Sequence, residues 1–448
     1  MDLSRREFVQ SAAAVGAGLL VASRGLAQAP SPAAAAGGDL IEVALLGAGT
    51  QGRVLMNDCL GIPGVRLRAV CDIWSYSQRY ASRSLKSQYK RAGHADWAEA
   101  VATYDDYRVM LEKEPDLDAV IVATPDFWHA EHSIACMKAG KHVYCEKEMT
   151  NDLATAAAMV KASAETGRLL QIGHQRRSNP IYQQALKMLR EDRICGRLTT
   201  CYGQWNRGVQ PKLTWPQEYE IPAETLKAYG FESMEHFRNW RWYRRYSAGP
   251  IADLGSHQID IFSWFLGADP RRVMAMGDTE YFTDREWHSD VLCTYEYKTA
   301  EGSARAFYQV LNTNSYGHYF ERFAGDGGAL TLSEDPRKCY YVPEPGKELP
   351  GYLASVEKVV HDGVEAVPLL PAIAGLGAEG KAAVEAFQNK NVHQLHLENF
   401  VAAVRAGDKA LLACPGEEAY RTAVAVLKVL PAIEAGGGVP FAPADFQA

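Results

Sequence analysis

The first half of the chain alternates short, mainly apolar runs with amphipathic stretches. Ile41 to Leu46, Val65 to Cys71, Ala119 to Ala123, His142 to Cys145 and Leu169 to Ile172 have the length and composition of buried strands. Helical patterns lie between them, from Gln51 to about Leu60, Ala130 to Ala139 and Leu153 to Thr166. Doubly buried strands joined by helices predict a parallel sheet of right-handed crossovers from residue 40 to about 175.

The pattern then changes. A helix is expected at 180–191, followed by β-leaning segments at 198–205, 272–282, 289–298 and 303–312. That succession predicts an α+β domain with a broad, largely antiparallel sheet. Residues 249–267, GPIADLGSHQIDIFSWFLG, read as one helix, with Pro250 in its first turn and Gly267 as its stop. Residues 335–390 are rich in Pro, Gly and Ala and read as an irregular excursion, and helical patterns at His396–Ala406 and Glu417–Ala435 close the chain. The expected fold class is thus α/β: a doubly wound domain at 39–175 and an α+β domain at 176–448, whose closing helices span 396–435.

Composition narrows the function classes. With 448 residues, 47% of them hydrophobic and 23% charged, the chain can bury a large core. A formal net charge of -7 gives no electrostatic case for binding nucleic acid or an anionic membrane. The nine cysteines are scattered without CxxC or metal-ligand spacing, so neither a disulfide framework nor a metal site is expected.

The segment 1–38 stands apart. Ser4-Arg5-Arg6-Glu7-Phe8 opens a twin-arginine export leader, followed by a mildly apolar Ala/Gly-rich stretch and a cleavage-like Ala27-Gln28-Ala29. PSPAAAAGG at 30–38 is a low-complexity arm. The expectation is export to the periplasm by the twin-arginine machinery, with no stable membrane insertion once the leader is removed. A retained amphipathic or single-pass anchor is the alternative.

Three constellations carry chemistry. Gly47-Ala48-Gly49-Thr50-Gln51-Gly52 follows a buried strand and opens a helix, as a dinucleotide-binding turn requires. Gly47 permits the tight turn, Gly49 admits a pyrophosphate, Gly52 lets helix pack on strand, and the helix N-terminus faces the phosphates. Asp72 ends the second strand, where a carboxylate holds ribose hydroxyls and repels a 2′-phosphate, which favours NAD over NADP. A purely structural glycine turn capped by Asp72 is the bland reading.

Thr124-Pro125-Asp126-Phe127-Trp128-His129 and Glu146-Lys147-Glu148 come second, at the carboxyl ends of later strands, where open α/β sheets bind ligands. Position alone leaves Lys147 divided between a nicotinamide neighbour and an ordinary surface lysine. The third is the 249–267 helix, which aligns Asp253, His257, Asp260 and Trp264 on one stripe. An acid–imidazole–acid stripe on an apolar helix is costly to bury unless paired or used, and a hydrogen-bonded core histidine is the alternative.

In this order the three constellations resemble the Gfo/Idh/MocA oxidoreductase family, which includes glucose–fructose oxidoreductase and inositol dehydrogenases. The matching segments are VALLGAGTQG, TPDFWHAEHSIACMKAGKHVYCEKE and GPIADLGSHQIDIFSWFLG, within a resemblance running from about 41 to 333 and resuming at HLENFVAAVRAGD. The resemblance implies that Lys147 corresponds to the family's Glu-Lys-Pro lysine beside the nicotinamide. It implies that Asp253 and His257 bind and deprotonate the reacting hydroxyl, and that Gln175 and Arg176 in GHQRRSN lie where relatives contact substrate. Cofactor contacts are expected from Gly47, Gly49, Thr50, Gln51, Gly52, Asp72, Thr124, Pro125, His129, Glu146 and Lys147. Glu148 departs from the family by replacing the usual proline, leaving the lysine loop less constrained and adding a nearby charge.

The expected activity is oxidation of a sugar, polyol or sugar derivative. His257 takes the hydroxyl proton, Lys147 polarises the oxygen and Asp253 orients one of them. Six of the nine tryptophans (205, 215, 240, 242, 264, 287) and the run Asn239 to Arg245 suit sugar faces, or equally core packing. Because free nicotinamide cofactor is not expected outside the cytoplasm, an exported enzyme is expected to carry its NAD tightly bound and to regenerate it in place. NAD-dependent glycoside cleavage through transient oxidation is the alternative activity, and a non-catalytic sugar sensor a further one. A homo-oligomer, dimer or tetramer, is expected as in relatives.

Overall fold

The computed structural model describes residues 40–448, so the leader and arm at 1–38 lie outside the described residues. Six strands form an all-parallel sheet: β1 Ile41–Leu46, β2 Val65–Cys71, β3 Ala102–Tyr104, β4 Ala119–Val122, β5 His142–Cys145 and β6 Leu170–Ile172. Their order is β3-β2-β1-β4-β5-β6. The chain winds outward in one direction from β1 to β3 and in the other from β4 to β6. The two directions part between β1 and β4, and a crevice opens there at the carboxyl ends of the strands. All four residues of β4 are buried, as a strand covered by helices on both faces must be.

The second sheet has ten strands in the order β14-β15-β13-β12-β11-β7-β10-β9-β8-β16. Its centre comprises β7 Leu198–Asn206, β8 Pro270–Asp278, β9 Asp290–Thr299, β10 Gly302–Leu311, β11 Tyr319–Gly325 and β12 Gly328–Leu332. Its margins are β13 Tyr340–Pro343, β14 Val359–His361, β15 Val364–Pro368 and β16 Gly438–Pro440. Only β7 and β10 pair in parallel. Alternating burial along β9 and β10 gives this sheet one core face and one outer face.

Three sequence expectations change. Residues 335–390 are not irregular: they supply β13, β14, β15 and the helices Leu369–Ala374 and Ala378–Asn389. The strands are three to five residues long and lie at one margin of the sheet, too short for a periodic pattern to show. Residues 249–267 are not one regular helix either. Ile251–Gly255 is a π-helical turn feeding the α-helix Ser256–Leu266, so the stripe drawn at α-helical spacing is offset between Asp253 and His257. The closing pattern at 417–435 splits into Gly416–Leu427 and Val429–Ala435 at Lys428.

The helix Val392–Ala406 returns to the first domain. Its Leu397, Phe400 and Val401 join Val43, Leu45, Leu55 and Met56 in one buried cluster. Gln171 of β6 donates to the His396 carbonyl within the same contact. Among the described residues no helix is long and apolar enough to cross a membrane. All nine cysteines are buried and unpaired, as small core hydrophobes.

Candidate active site at the switch point

The glycine turn is built for close approach. Gly47 has φ +95°, and a Cβ there would lie 2.6 Å from the Ala123 carbonyl oxygen. A Cβ on Gly52 would lie 1.9 Å from the Gly47 carbonyl oxygen. Gly49 is different: a Cβ on it would meet nothing within 4 Å, so it faces open space. Gly49 also caps the helix Thr50–Cys59 without any side-chain cap, leaving the first-turn N–H groups directed at that space. An open cradle above uncapped helical N–H groups fits a pyrophosphate.

Asp72 stands at the end of β2 with both oxygens engaged, accepting from the Ala48 N–H at 2.7 Å and the Trp74 N–H at 2.8 Å. Burial pushes its carboxyl up to about 6, against the pull of those two N–H groups and of Arg53 and Arg238. Each oxygen keeps a lone pair for a ribose hydroxyl.

The loops after β4 and β5 are tied together. His129 sets one ring nitrogen 2.7 Å from the Thr124 carbonyl and the other 2.8 Å from the Glu148 carbonyl. Thr124 contacts His132 at 3.0 Å through its hydroxyl, and Pro125 caps the helix Asp126–Lys138. Glu146 accepts from Gln51 at 3.1 Å, which links the glycine-turn helix to the end of β5. Glu148, in place of the family proline, follows a cis Lys147–Glu148 peptide. Its side chain is buried, one oxygen accepting from the Met149 N–H and the other without a partner, and burial pushes it up to about 8. At neutral pH it is mostly the neutral acid, so the extra charge expected from the sequence is largely suppressed.

Lys147 reaches across the domain junction. Its ammonium donates to the main-chain carbonyl of Asp253, in the π turn. The Asp253 carboxylate takes Arg241 at 2.9 Å and Arg207 at 3.4 Å. Burial alone would raise this acid, but Arg241, Arg207 and Lys147 overturn that and hold it ionised well below the usual carboxylate range. Asp126, the first residue of its helix, is also near Arg241 and Lys147, but burial dominates there and pushes it up to about 7.

His257 lies on the next turn, its ring stacked on Trp205 at 5.3 Å, and its Nδ1 is buried without a partner. Burial, followed by the charges of Lys147 and Arg176, pushes the imidazole well below its ordinary range, so it is neutral. Trp205 is shared, since the buried Arg176 guanidinium lies 5.7 Å from the same ring. Arg176 pairs with Glu321 and Glu334, and Gln175 touches Glu334 at 3.5 Å. Arg176 thus lies beside Trp205, and both it and Gln175 are engaged by Glu334.

Lys147, Asp253, His257, Glu146 and Gln51 come together at the crevice, whereas Asp260 and Trp264 do not join them. Asp260 is locked to Arg177 at 2.8 Å and to Thr422 at 2.8 Å, and Arg177 stacks on Trp264. In the sequence Asp126 stands out only as part of the Thr124–His129 motif and Arg241 only by its place in the aromatic and basic run 239–245, while nothing marks Arg207. Among the described residues no group of three or more His, Cys, Asp or Glu side chains is arranged to hold a metal.

Residues 41–174 match the family described as "Oxidoreductase family, NAD-binding Rossmann fold", and residues 182–330 match its "GFO/IDH/MocA C-terminal domain". A scyllo-inositol 2-dehydrogenase (NAD(+)) of Bacillus subtilis (strain 168) is 25% identical over 279 residues, 62% of this chain and 69% of that protein. A glycosyl hydrolase family 109 protein of Saccharopolyspora erythraea is 32% identical over 177 residues, 37% of this chain and 38% of that protein. The chain spans less than half the length of the first curated relatives it matches, 41% and 38%. The crystal structure of myo-inositol 2-dehydrogenase from Lactobacillus plantarum shares the fold, with TM-score 0.62 and 18% identity over 90% of this chain and 100% of that one.

Proposed function

The chain belongs to the Gfo/Idh/MocA oxidoreductase family, and we propose that it transfers hydride between NAD and a carbon bearing oxygen in a sugar, polyol or sugar derivative. The observation that carries this reading is the meeting of Lys147, Asp253 and His257 where the open glycine cradle ends, through the Lys147 bond to the Asp253 carbonyl. NAD supplies the hydride acceptor; the rest is done by side chains of this chain.

Lys147 has further N–H donors to hold the substrate oxygen and stabilise charge as it develops there. The neutral imidazole of His257 is a proton acceptor for the hydroxyl. Asp253, kept ionised by Arg241 and Arg207, orients the hydroxyl and balances the lysine. Trp205, stacked on His257 and Tyr319, holds the imidazole ring in place. The inositol dehydrogenase relative supports the polyol class, and the Asp72 carboxylate supports NAD over NADP.

Export by the twin-arginine route to the periplasm belongs to this reading, on the strength of Ser4 to Phe8. So does a tightly held NAD, reduced by one substrate and reoxidised by another in the same site. A dimer or tetramer fits the exposed Met274 and Met276 of β8. The second reading, glycoside cleavage by transient oxidation, is favoured by the likeness to the family 109 protein; the retained Lys147 weighs against it. Incubation with sugar pairs and with glycosides, without added NAD, separates the two. Exchange of oxidation state between sugars supports the first, aglycone release without net redox supports the second, and neither outcome overturns both.

A further inference from the structure

The chain between β7 and the π turn, residues 207–248, does not belong to either sheet. It folds around an aromatic core of its own, with Leu226, Phe231 and Tyr246 fully buried. That core is completed by the first domain, because Trp74 is buried within it and Phe127 packs on Phe231 at 5.4 Å.

These two anchors lie on either side of the glycine turn. Trp74 is two residues beyond Asp72 at the end of β2, and Phe127 is the second residue of the helix after β4, while β1 and its turn run between those strands. The excursion is pinned at both. The Trp74 indole N–H donates to the Tyr219 carbonyl at 2.7 Å, and the Trp128 indole N–H donates to the Tyr229 carbonyl at 3.1 Å. Its span therefore bridges the crevice mouth from the β2 side to the β4 side.

It also brings a cation. Arg238 lies 4.5 Å over the Trp74 ring, and its charge acts on Asp72 together with that of Arg53, from the helix after the glycine turn. No carboxylate lies within ion-pair distance of either arginine among the described residues. Burial lowers the affinity of Arg238 for its proton, and the neighbouring Arg53 lowers it further while Asp72 opposes them. Two guanidiniums facing one engaged carboxylate leave a site with excess positive charge, which a phosphate-bearing ligand relieves.

We propose that residues 207–248 are a cofactor clamp, in which Arg238 from the second domain and Arg53 from the first hold the phosphoribose half of the dinucleotide and retain it through successive turnovers. The proposal rests on the reading of the crevice as an NAD site and adds the residues that keep the nucleotide in. Arg238 is a cofactor-binding residue that the glycine-turn motif cannot reveal, since it comes from a segment remote from that motif in sequence.

The test uses the whole protein loaded with NADH, passed into nucleotide-free buffer, with release followed by nicotinamide fluorescence. Wild type is expected to retain its nucleotide, and Arg238→Ala and Arg53→Ala each to release it roughly tenfold faster or more, the loss of a charge-assisted contact. Arg238→Lys is expected to fall between. Lys161→Ala, a solvent-exposed change on the helix Leu153–Thr166, is expected to release at the wild-type rate. As a second readout, NADH should slow trypsin cleavage within 207–248 of the wild type. Release from Arg238→Ala within twofold of wild type, or cleavage indifferent to NADH, would overturn the clamp while leaving the NAD site intact. Failure of wild type to bind any NADH would instead sink the reading beneath it.

Discussion

The Lys147 ammonium donates to the main-chain carbonyl of Asp253, a residue 106 positions later in the chain. One hydrogen bond thus joins the end of β5, in the nucleotide domain, to the π turn that opens the second. The lysine is held where the two domains meet, and the acid whose backbone it grips presents its carboxylate to Arg241 and Arg207. The proposed proton and hydride chemistry depends on that junction.

His257→Ala should lower kcat/KM by about 10²–10⁴, the usual contribution of a positioned general base. The pH profile gives a sharper check. Burial, Lys147 and Arg176 depress the imidazole, so its neutral, base-competent form persists as pH falls below the ordinary histidine range. The acid limb of kcat/KM for the wild type should lie below about 6.5, the ordinary value of an exposed imidazole. An acid limb at or above that value, or a fully active alanine variant, would remove His257 from the role.

The three glycines of the turn should separate binding from folding. Gly49→Ala has room for its methyl group and should leave the thermal midpoint of the nucleotide-free protein unchanged. It should weaken NAD binding roughly tenfold or more, because the methyl fills the phosphate cradle. Gly47→Ala and Gly52→Ala place a Cβ 2.6 Å and 1.9 Å from carbonyl oxygens and should destabilise the fold itself. Thermal melts and isothermal titration together check the contrast.

Glu148 makes stability fall with rising pH. In the unfolded chain its carboxyl releases its proton near the ordinary glutamate value, whereas burial holds the folded group protonated up to about 8. The folded state binds the extra proton in between, so stability declines from the unfolded value to about 8 and levels off above it. Glu148→Gln removes this titration, and its melting temperature should fall less than that of the wild type between mildly acid and alkaline buffer. Parallel curves would contradict the buried neutral acid.

Asp260→Asn tests the bond to Arg177 as architecture. The pair is buried, with side-chain exposures of 7% and 1%, and removing one charge should cost about 3–5 kcal/mol in denaturant unfolding. The folded fraction should keep the wild-type KM. A stable variant with an altered KM would return Asp260 to the substrate site.

Much of this arrangement was legible in the chain. The apolar runs of β1, β2, β4 and β5 and the spacing of Gly47, Gly49 and Gly52 are local signals, fixed by burial on both faces and by close backbone contact. The stripe through Asp253, His257, Asp260 and Trp264 was legible only in part. Its spacing assumed α-helical winding from the start, whereas the π turn at Ile251–Gly255 offsets Asp253 from the α-helix Ser256–Leu266, and within that helix Asp260 and Trp264 are taken up by Arg177. Arg207 was not legible at all, because its bond to Asp253 is tertiary and leaves no periodic trace. The same holds for Trp74, which looks like an ordinary core residue until the 207–248 excursion is folded over it.

In the proposed reaction hydride passes from a carbon bearing oxygen to NAD at the junction of Lys147, Asp253 and His257. The most direct measurement is rapid mixing of the NAD-loaded protein with a panel of polyols and sugars while the near-ultraviolet absorbance of reduced nicotinamide is followed. At least one polyol or sugar should generate bound NADH in a single turnover, with a deuterium isotope effect at the oxidised carbon, and His257→Ala should slow that step. A protein that binds NAD yet forms no reduced nicotinamide with any member of the panel would contradict the account.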